Sequence, residues 1–281
     1  NNREIFFPRG KGFGGSSSIN GHLYVRGQPD DYNQWAQLGN IGWSYEDILP
    51  YFKKSEFKEN GDEQTRGKKG PLFVSDVVEK HPICEEFIEG SKELGINIQE
   101  DYNSGNQEGI FYYQRTIKNG VRFSAYDAFL KTAIKRKNVD IQKNTMVLKI
   151  IFEGKKAIGL ICKKNNKVFK IFANKEIILC AGAIGTPHLL QVSGVGDLEY
   201  LNEIGIKPIH DNKSIGQGLQ DHYAVRVANQ IKLPNSLNEK ASGYKLFIEI
   251  MKWFVFKRGL ISYRPAHVGA FLKSSPEIDF P

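Results

Sequence analysis

The chain has 281 residues, 40% of them hydrophobic and 25% charged. That is enough apolar material for one large domain or two ordinary ones, and it excludes a disordered chain. The net charge of +8 arises from 39 Lys and Arg against 31 Asp and Glu; the basic residues are scattered, without a stripe or a docking motif, so no nucleic-acid partner is expected.

The opening segment, NNREIFFPRG, has the features of neither a signal nor a transit peptide, and it lacks Met, as a truncated chain would. Residues 1–27 read as a strand end running into a Gly/Ser loop. Ser44 and Asp47 form a capping box for a short helix, and Pro50 fits the first turn of a second helix better than an interior. The polar, Gly-bearing stretch 57–70 reads as a loop or lid, and PLFVSD as a strand. Helical spacing follows at Cys84, Phe87, Ile88, Ser91 and Leu94, stopped by Gly95. Ser124 and Asp127 cap another helix, with Ala128, Phe129, Ala133 and Ile134 on its buried side.

Three strands, MVLKIIF, AIGLICKK and KVFKIFA, come next as a β-meander, turned at Glu153-Gly154 and Asn165-Asn166. The run EIILCAG is so apolar that it predicts a strand covered on both faces, as in a parallel sheet. Tyr244 to Phe256 (YKLFIEIMKWFVF) is the most apolar stretch, but it carries Glu249 and Lys252 and is shorter than the ~20 residues of a membrane span. It reads as a core or cleft-lining helix; peripheral contact with the inner membrane through its aromatic residues is the alternative. Cys84, Cys162 and Cys180 form an odd set with no CxxC pair and no His at ligand spacing. They argue against a disulfide framework and a metal site, and for a reducing, cytoplasmic compartment.

Two glycine-punctuated segments carry the chemistry. In the first, Gly14 and Gly15 permit backbone torsions and close approach that a Cβ would block. Ser16, Ser17, Ser18 and Asn20 follow with donors for phosphate or for ring edges, and Arg9 and Lys11 add positive charge. GGSSS by itself is an ordinary flexible loop; the longer string PRGK, GGSS, IN, YVRG is far more specific. In the second, Ala181, Gly182, Ala183 and Gly185 let a strand end lie close to a bulky ligand. Thr186 and Pro187 suit the cap and first position of a helix whose N-terminus offers free N–H groups. A third string, Gly216-Gln217-Gly218-Leu219-Gln220-Asp221-His222, contains an acid–base pair, but a buried polar corner is the better reading. His81, His188 and His210 have no partner at catalytic spacing and read as surface or capping residues.

Taken together, PRGKGFGGSSSINGHLYVRG (8–27) and AGAIGTPHLLQVSGVG (181–196) resemble the two signatures of the glucose–methanol–choline (GMC) family of flavin alcohol oxidoreductases. GQGLQDH (216–222) resembles a third family string, with Gly218 replacing an Asn. GWSYEDILPYFKKSE, GPLFVSD, DYNSGNQEG, Arg122 and Ser124 extend the likeness, whose flavour is the bacterial choline-dehydrogenase-like branch. The resemblance implies a mixed α/β fold: a Rossmann-like FAD-binding domain with an inserted antiparallel-sheet substrate domain, both incomplete. Residues 1–69 (with the lid loop) and 120–222 (with the meander) would belong to the FAD domain, and 70–119 and 223–281 to the substrate domain.

It further implies non-covalent FAD, since Ile19 stands where some relatives carry the histidine that bonds to flavin. Gly12, Asn20, Gly21, His22 and Leu23 fall at cofactor-contacting positions, as do Ala181 and Gly182, and Val147 falls where a backbone group holds adenine. His267 falls near the substrate cavity, where choline-type members carry an acid; a histidine there argues against a quaternary ammonium. The implied activity is oxidation of a primary or activated alcohol to an aldehyde. The GxGxxG unit is expected before Asn1 and the catalytic histidine beyond Pro281, so the catalytic base has no candidate within the chain. Residues 1–281 alone are expected to bind FAD poorly and to show no turnover. A lyase that keeps the flavin, and a non-catalytic remnant, stay open, as do the substrate, the electron acceptor and the oligomeric state.

Overall fold

Local capping chemistry starts the first helices. The computed structural model describes residues 3–231, 236–262, 266–278 and 281, so the start of the expected strand end, residues 1–2, lies outside it. Residues 3–10 form no strand and are mostly exposed, with Phe6 90% accessible. A 3-10 turn, Gly15–Ser18, follows. Helix α1 (Pro29–Gln37) has Pro at its first position and a Gln28–Asp31 capping box. Helix α2 (Tyr45–Ser55) opens at the predicted box, where the Asp47 N–H donates to Ser44 Oγ. Pro50 corrects the expectation: it lies inside α2 and starts no second helix. The capping box has already nucleated the first turn, so the one backbone bond that Pro50 forfeits does not stop propagation.

Strands β1 (Glu56–Phe57) and β2 (Leu72–Phe73) pair in parallel. Helix α3 (Pro82–Glu93) ends before Gly95, whose φ of 78° only glycine adopts freely. Ile88 and Ser91 are buried on it as expected, whereas Phe87 and Leu94 are exposed. Strands β3 (Gly109–Tyr112), β4 (Ile117–Lys118) and β5 (Val121–Arg122) follow, with β4 and β5 forming a hairpin. The Ser124–Asp127 box is present, but it opens a π turn, Tyr126–Leu130, before a short α4 (Lys131–Ala133). The wider π turn changes the helical phase, so Ala128 is buried while Phe129 is exposed.

The meander forms as expected from β6 (Met146–Glu153), β7 (Lys156–Lys164) and β8 (Lys167–Phe172), antiparallel in that order. Gly154, Asn165 and Asn166 all have positive φ, as tight hairpin turns demand. Helix α5 (Gly182–Val192), β9 (Val195–Gly196), α6 (Leu198–Glu203) and β10 (His210–Asp211) complete this part, with β9 and β10 parallel. Helices α7 (Leu237–Lys240) and α8 (Gly243–Phe256) precede β11 (Val268–Phe271), which pairs antiparallel with β3.

The elements fall into two compact units, 1–139 with 230–281, and 140–229. These boundaries describe packing; the expected division into cofactor and substrate segments is a statement about ligand contacts. The core of the first unit is the Tyr102–Phe111 stack, with ring centroids 4.0 Å apart, joined by Val74, Ile88 and Ile110. The second unit is centred on Ile150, Cys162, Val195 and Leu201.

One expected strand is missing. Residues 176–180 of EIILC form no regular element and pair with no described strand, and Ile178 is 74% exposed. A strand is made by its neighbours' hydrogen bonds, which apolarity alone does not supply. The alternation survives nonetheless: Ile177 and Leu179 line an apolar cavity of ≈ 350 Å³ with Ile150, Leu190 and Val195, while Ile178 and Cys180 are exposed.

Candidate cofactor-binding segments

In the first unit, backbone geometry makes the glycines of 10–15 obligatory. A Cβ on Gly10 would sit 2.2 Å from the Gly15 carbonyl oxygen, so the chain folds back on itself there. Gly12, Gly14 and Gly15 have φ of 134°, 85° and 52°. At Gly12 and Gly15 a Cβ would meet nothing within 4 Å, so bare backbone faces open space. This is the cradle that a ligand approaching the main chain requires.

The hydroxyls mostly serve the loop itself. Ser16 Oγ accepts the Gly10 N–H at 3.2 Å, Ser17 Oγ donates to the Gly14 carbonyl at 2.5 Å, and Ser18 Oγ donates to the Phe13 carbonyl at 2.8 Å. Ser17 Oγ also accepts the Ala125 N–H at 2.9 Å. Phe13 stacks on Tyr126 at 5.3 Å, so the turn rests on the start of the 124–130 helix.

Arg122 fastens the loop. Its guanidinium donates to the Ser17 carbonyl, the Asn20 carbonyl and Asn20 Oδ1, each at 2.8 Å. Asn20 Oδ1 also accepts the His22 N–H. Downstream, the chain joins the sheet. His22 is 1% exposed with φ 62°, and its carbonyl accepts the Thr116 N–H at 2.9 Å. Leu23 bridges Arg115, which bridges Ser75 on its other side. Gly12, Gly14, Gly15, Ser16, Asn20, Gly21, His22 and Leu23 therefore lie on one locally fastened segment.

A buried ionic network holds the next residues. Glu56, fully buried, accepts from Arg26 at 2.8 Å and from Arg66 at 2.9 and 3.1 Å. Arg66, 1% exposed, also reaches Asp101 at 2.5 and 2.7 Å and Gln114 at 2.9 Å. Burial pushes the Glu56 carboxyl up, but the Arg66 hydrogen bonds and the Arg66 and Arg26 charges outweigh it and hold the acid below its ordinary range. The network ties the YVRG end of the first signature to the 57–70 loop and to DYN. Arg26, Glu56 and Asp101 lie in strings that carry the resemblance, YVRG, GWSYEDILPYFKKSE and DYNSGNQEG, but nothing local paired them with one another or with Arg66, because they are far apart in sequence.

The C-terminal residue of the chain meets the same stretch. Pro281, beyond which the catalytic histidine is expected, carries no catalytic group of its own; its carbonyl accepts from Gln28 Nε2 at 2.8 Å. The end of the 223–281 segment therefore lies against the cap of α1, one residue after the first signature. The expected histidine lies outside the described residues.

In the second unit, α5 starts at Gly182, with Ala181 as its N-cap residue, five residues before the expected cap at Thr186. Pro187 lies inside the helix. Thr186 still caps, but from within: its Oγ1 accepts the Ala181 N–H at 3.1 Å. Gly182 takes φ 83°, which lets the chain turn directly into the helix and leaves Pro187 one bond to forfeit. At the far end, fully buried Ser193 accepts the Ile150 N–H at 2.9 Å and donates to the Leu189 carbonyl at 2.6 Å. The second signature is thereby locked to the free edge of β6. On that strand Val147, 37% exposed, pairs with Cys162 next to a register shift.

The third string departs from expectation. Asp221 and His222 are exposed, and the hydrogen bond between them is a local one, from the His222 N–H to Asp221 Oδ1 at 2.8 Å. Gln191 Nε2 holds the Ile215 carbonyl at 3.2 Å, and beyond that no described element packs on 217–222, so the corner is not buried.

His267 is 8% exposed and lines a cavity of ≈ 220 Å³ with His81, Cys84, Ile231 and Leu237. Burial, and then the charges of Arg115 and His81, push its imidazole down to about 4, so it is neutral near pH 7. His81 occupies the N-cap position of α3 but is 3% exposed, which corrects its reading as a surface residue. His188 and His210 are both exposed, as expected. Among the described residues no cluster of three His, Cys, Asp or Glu is arranged to hold a metal ion, and no helix is long and apolar enough to cross a membrane.

The sequence and fold have relatives. The family model described as GMC oxidoreductase matches residues 1–224. The chain is 40% identical over 281 residues to the oxygen-dependent choline dehydrogenase of Rhizobium meliloti, covering all of this chain and 51% of that protein. It is 39% identical over 279 residues to the corresponding protein of Brucella anthropi, covering 99% of this chain and 51% of that one. Among solved structures, an FAD-dependent oxidoreductase from Chaetomium thermophilum superimposes with a TM-score of 0.81 at 30% identity, covering 92% of this chain and 48% of that one. The chain thus spans about half the length of the curated relatives it matches. With the family pattern matched through both signatures and the mixed α/β fold shared, this chain belongs to the GMC oxidoreductase family.

Proposed function

We propose that the chain supplies cofactor-binding and substrate-cavity parts of an enzyme that oxidises a primary or activated alcohol to an aldehyde with non-covalently held FAD. The supporting observation is the 10–20 loop, bare of side chains at Gly12 and Gly15 and fastened by Arg122. When bound, FAD supplies the acceptor for the hydride of the alcohol carbon. By the resemblance, Gly12, Gly14, Gly15, Ser16, Asn20, Gly21, His22 and Leu23 in the first signature would hold it, as would Ala181, Gly182 and the Val147 main chain. Ile19 has no nucleophilic atom with which to bond to it. Residues 1–69 and 120–222 serve the cofactor; 70–119 and 223–281 serve the substrate.

His267 contributes to the substrate cavity. The neighbouring Arg115 and His81 make this region unfavourable to a cation, so the substrate class is an uncharged or anionic alcohol rather than choline. With three free cysteines the chain suits a reducing cytoplasm, with peripheral contact at the inner membrane.

The test is anaerobic titration of the FAD-loaded product of the complete gene with benzyl alcohol and with choline. Bleaching of the flavin absorbance by benzyl alcohol at far lower concentration than by choline is expected. Bound flavin that no alcohol bleaches would remove the oxidase reading, and a preference for choline would remove the substrate class.

A further inference from the structure

Helix α8 is amphipathic in an unusual sense, because both of its wide faces are apolar. Leu246, Glu249, Ile250 and Trp253 face the protein, with Glu249 7% exposed and Trp253 Nε1 donating to the Gly120 carbonyl at 3.2 Å. Tyr244, Phe247, Ile248, Met251, Phe254 and Val255 are 45 to 74% exposed. At about 100° per residue these six fall within an arc of roughly 120° on the opposite side. Among the described residues nothing packs over that arc. Six large apolar side chains along one helix are more than scattered surface hydrophobicity, and they mark an interaction face.

The charges around the arc select the partner. Lys245 and Lys252 flank it along one side, and Lys257 and Arg258 follow the helix end. The helix's sole carboxylate, Glu249, is turned inward, bonded to Lys252 at 2.6 Å and to the Leu260 N–H at 2.8 Å. A second exposed apolar patch, formed by Trp35, Leu38, Ile41 and Trp43 on and after α1, differs: Asp30, Asp31, Glu46 and Asp47 lie on the helices beside it. Of the two, the α8 face is the one that joins exposed aromatics to a mainly basic rim, on which Glu79, accepting the Gly259 N–H at 3.2 Å, is the acid beside Arg258. The same rim, on a chain of net charge +8, opposes pairing with a second copy.

We propose that α8 is an in-plane docking helix for an anionic lipid surface. Its 244–255 arc enters the headgroup–acyl boundary, and Lys245, Lys257 and Arg258 engage the acidic headgroups, while Lys252 stays paired with Glu249. This names the face and the lipid chemistry of the peripheral contact proposed above, and it rests on that reading.

The test is flotation of the product of the complete gene with two sets of vesicles, phosphatidylcholine alone and phosphatidylcholine with phosphatidylglycerol. Binding to the second set only, weakened by high salt, is expected. Lys245→Glu should lower partitioning by roughly fivefold or more, and Phe247→Asp with Phe254→Asp by roughly tenfold or more. Far-UV circular dichroism and the thermal midpoint identify a variant that has misfolded; Phe247→Ser then serves as the milder variant. Protein that stays with the aqueous phase, or variants that float as well as the parent, overturn the proposal. Also overturning would be sedimentation showing dimers that Phe247→Asp dissociates, without lipid binding. None of these outcomes depends on flavin bleaching by alcohol, so the two readings fail separately.

Discussion

Arg122 and Asn20 stand 102 residues apart in sequence, yet the Arg122 guanidinium donates to Asn20 Oδ1 at 2.8 Å. A second donor, the His22 N–H, occupies the same oxygen at 3.1 Å. With Oδ1 engaged twice, the amide's orientation is set, and Nδ2 is the end left to donate. Arg122 simultaneously holds the Ser17 and Asn20 carbonyls, which gives the glycine turn its shape without occupying its open side.

Replacing Arg122 by Ala should therefore loosen the loop more than the protein. Charge-assisted hydrogen bonds contribute about 1.5–3 kcal/mol, so FAD affinity is expected to fall by roughly tenfold to a hundredfold. Arg122→Lys should recover only part of it, since an ammonium cannot match the planar fork. Flavin fluorescence quenching in the complete protein measures this; unchanged affinity in Arg122→Ala would show that the loop does not hold the cofactor.

Arg66→Met should act on stability instead. It leaves Glu56 and Asp101 as carboxylates short of their main partner, and breaking a buried pair costs about 3–5 kcal/mol. Urea unfolding should show a lower midpoint with little change in slope. A loss below about 1 kcal/mol would mean that the network is more hydrated than its burial implies.

Ser193→Ala removes the acceptor of the buried Ile150 N–H. An unsatisfied buried donor costs about 1–3 kcal/mol, and the free edge of β6 should open first. Hydrogen exchange at the Ile150 amide is the direct readout, with faster exchange expected and unaltered protection counting against the role.

His267 sets a pH dependence. Its folded value is pushed down to about 4 from an unfolded value near 6.5, so below pH 6.5 the unfolded chain binds more protons. The stability that His267 contributes is present above pH 6.5 and is lost as pH falls through 4. His267→Gln should flatten the change in unfolding midpoint between those limits. Parallel profiles for the two proteins would show that the imidazole is not held neutral by its surroundings.

Features that depend on residues within a few positions of one another were legible in the sequence. The Ser44–Asp47 and Ser124–Asp127 boxes, the Gly95 stop, and the Gly154 and Asn165-Asn166 turns appear at the positions expected. Most misplaced features needed a distant partner, and one, the start of α5, turned on a single glycine torsion. Residues 176–180 keep strand alternation but lack a neighbour, Asp221 and His222 lack a covering element among the described residues, and α5 begins early because Gly182 can take a positive φ.

The order of amino acids alone therefore determined the family resemblance, the caps, the hairpins and the glycines that must bend. Only the tertiary structure decided that Arg122 fastens Asn20, that Glu56 lies between Arg26 and Arg66, that Pro281 meets Gln28, and that His267 and His81 share a cavity beside Arg115. Torsional preference is a property of a residue and its neighbours. Desolvation and ion pairing are properties of whatever the rest of the chain brings alongside.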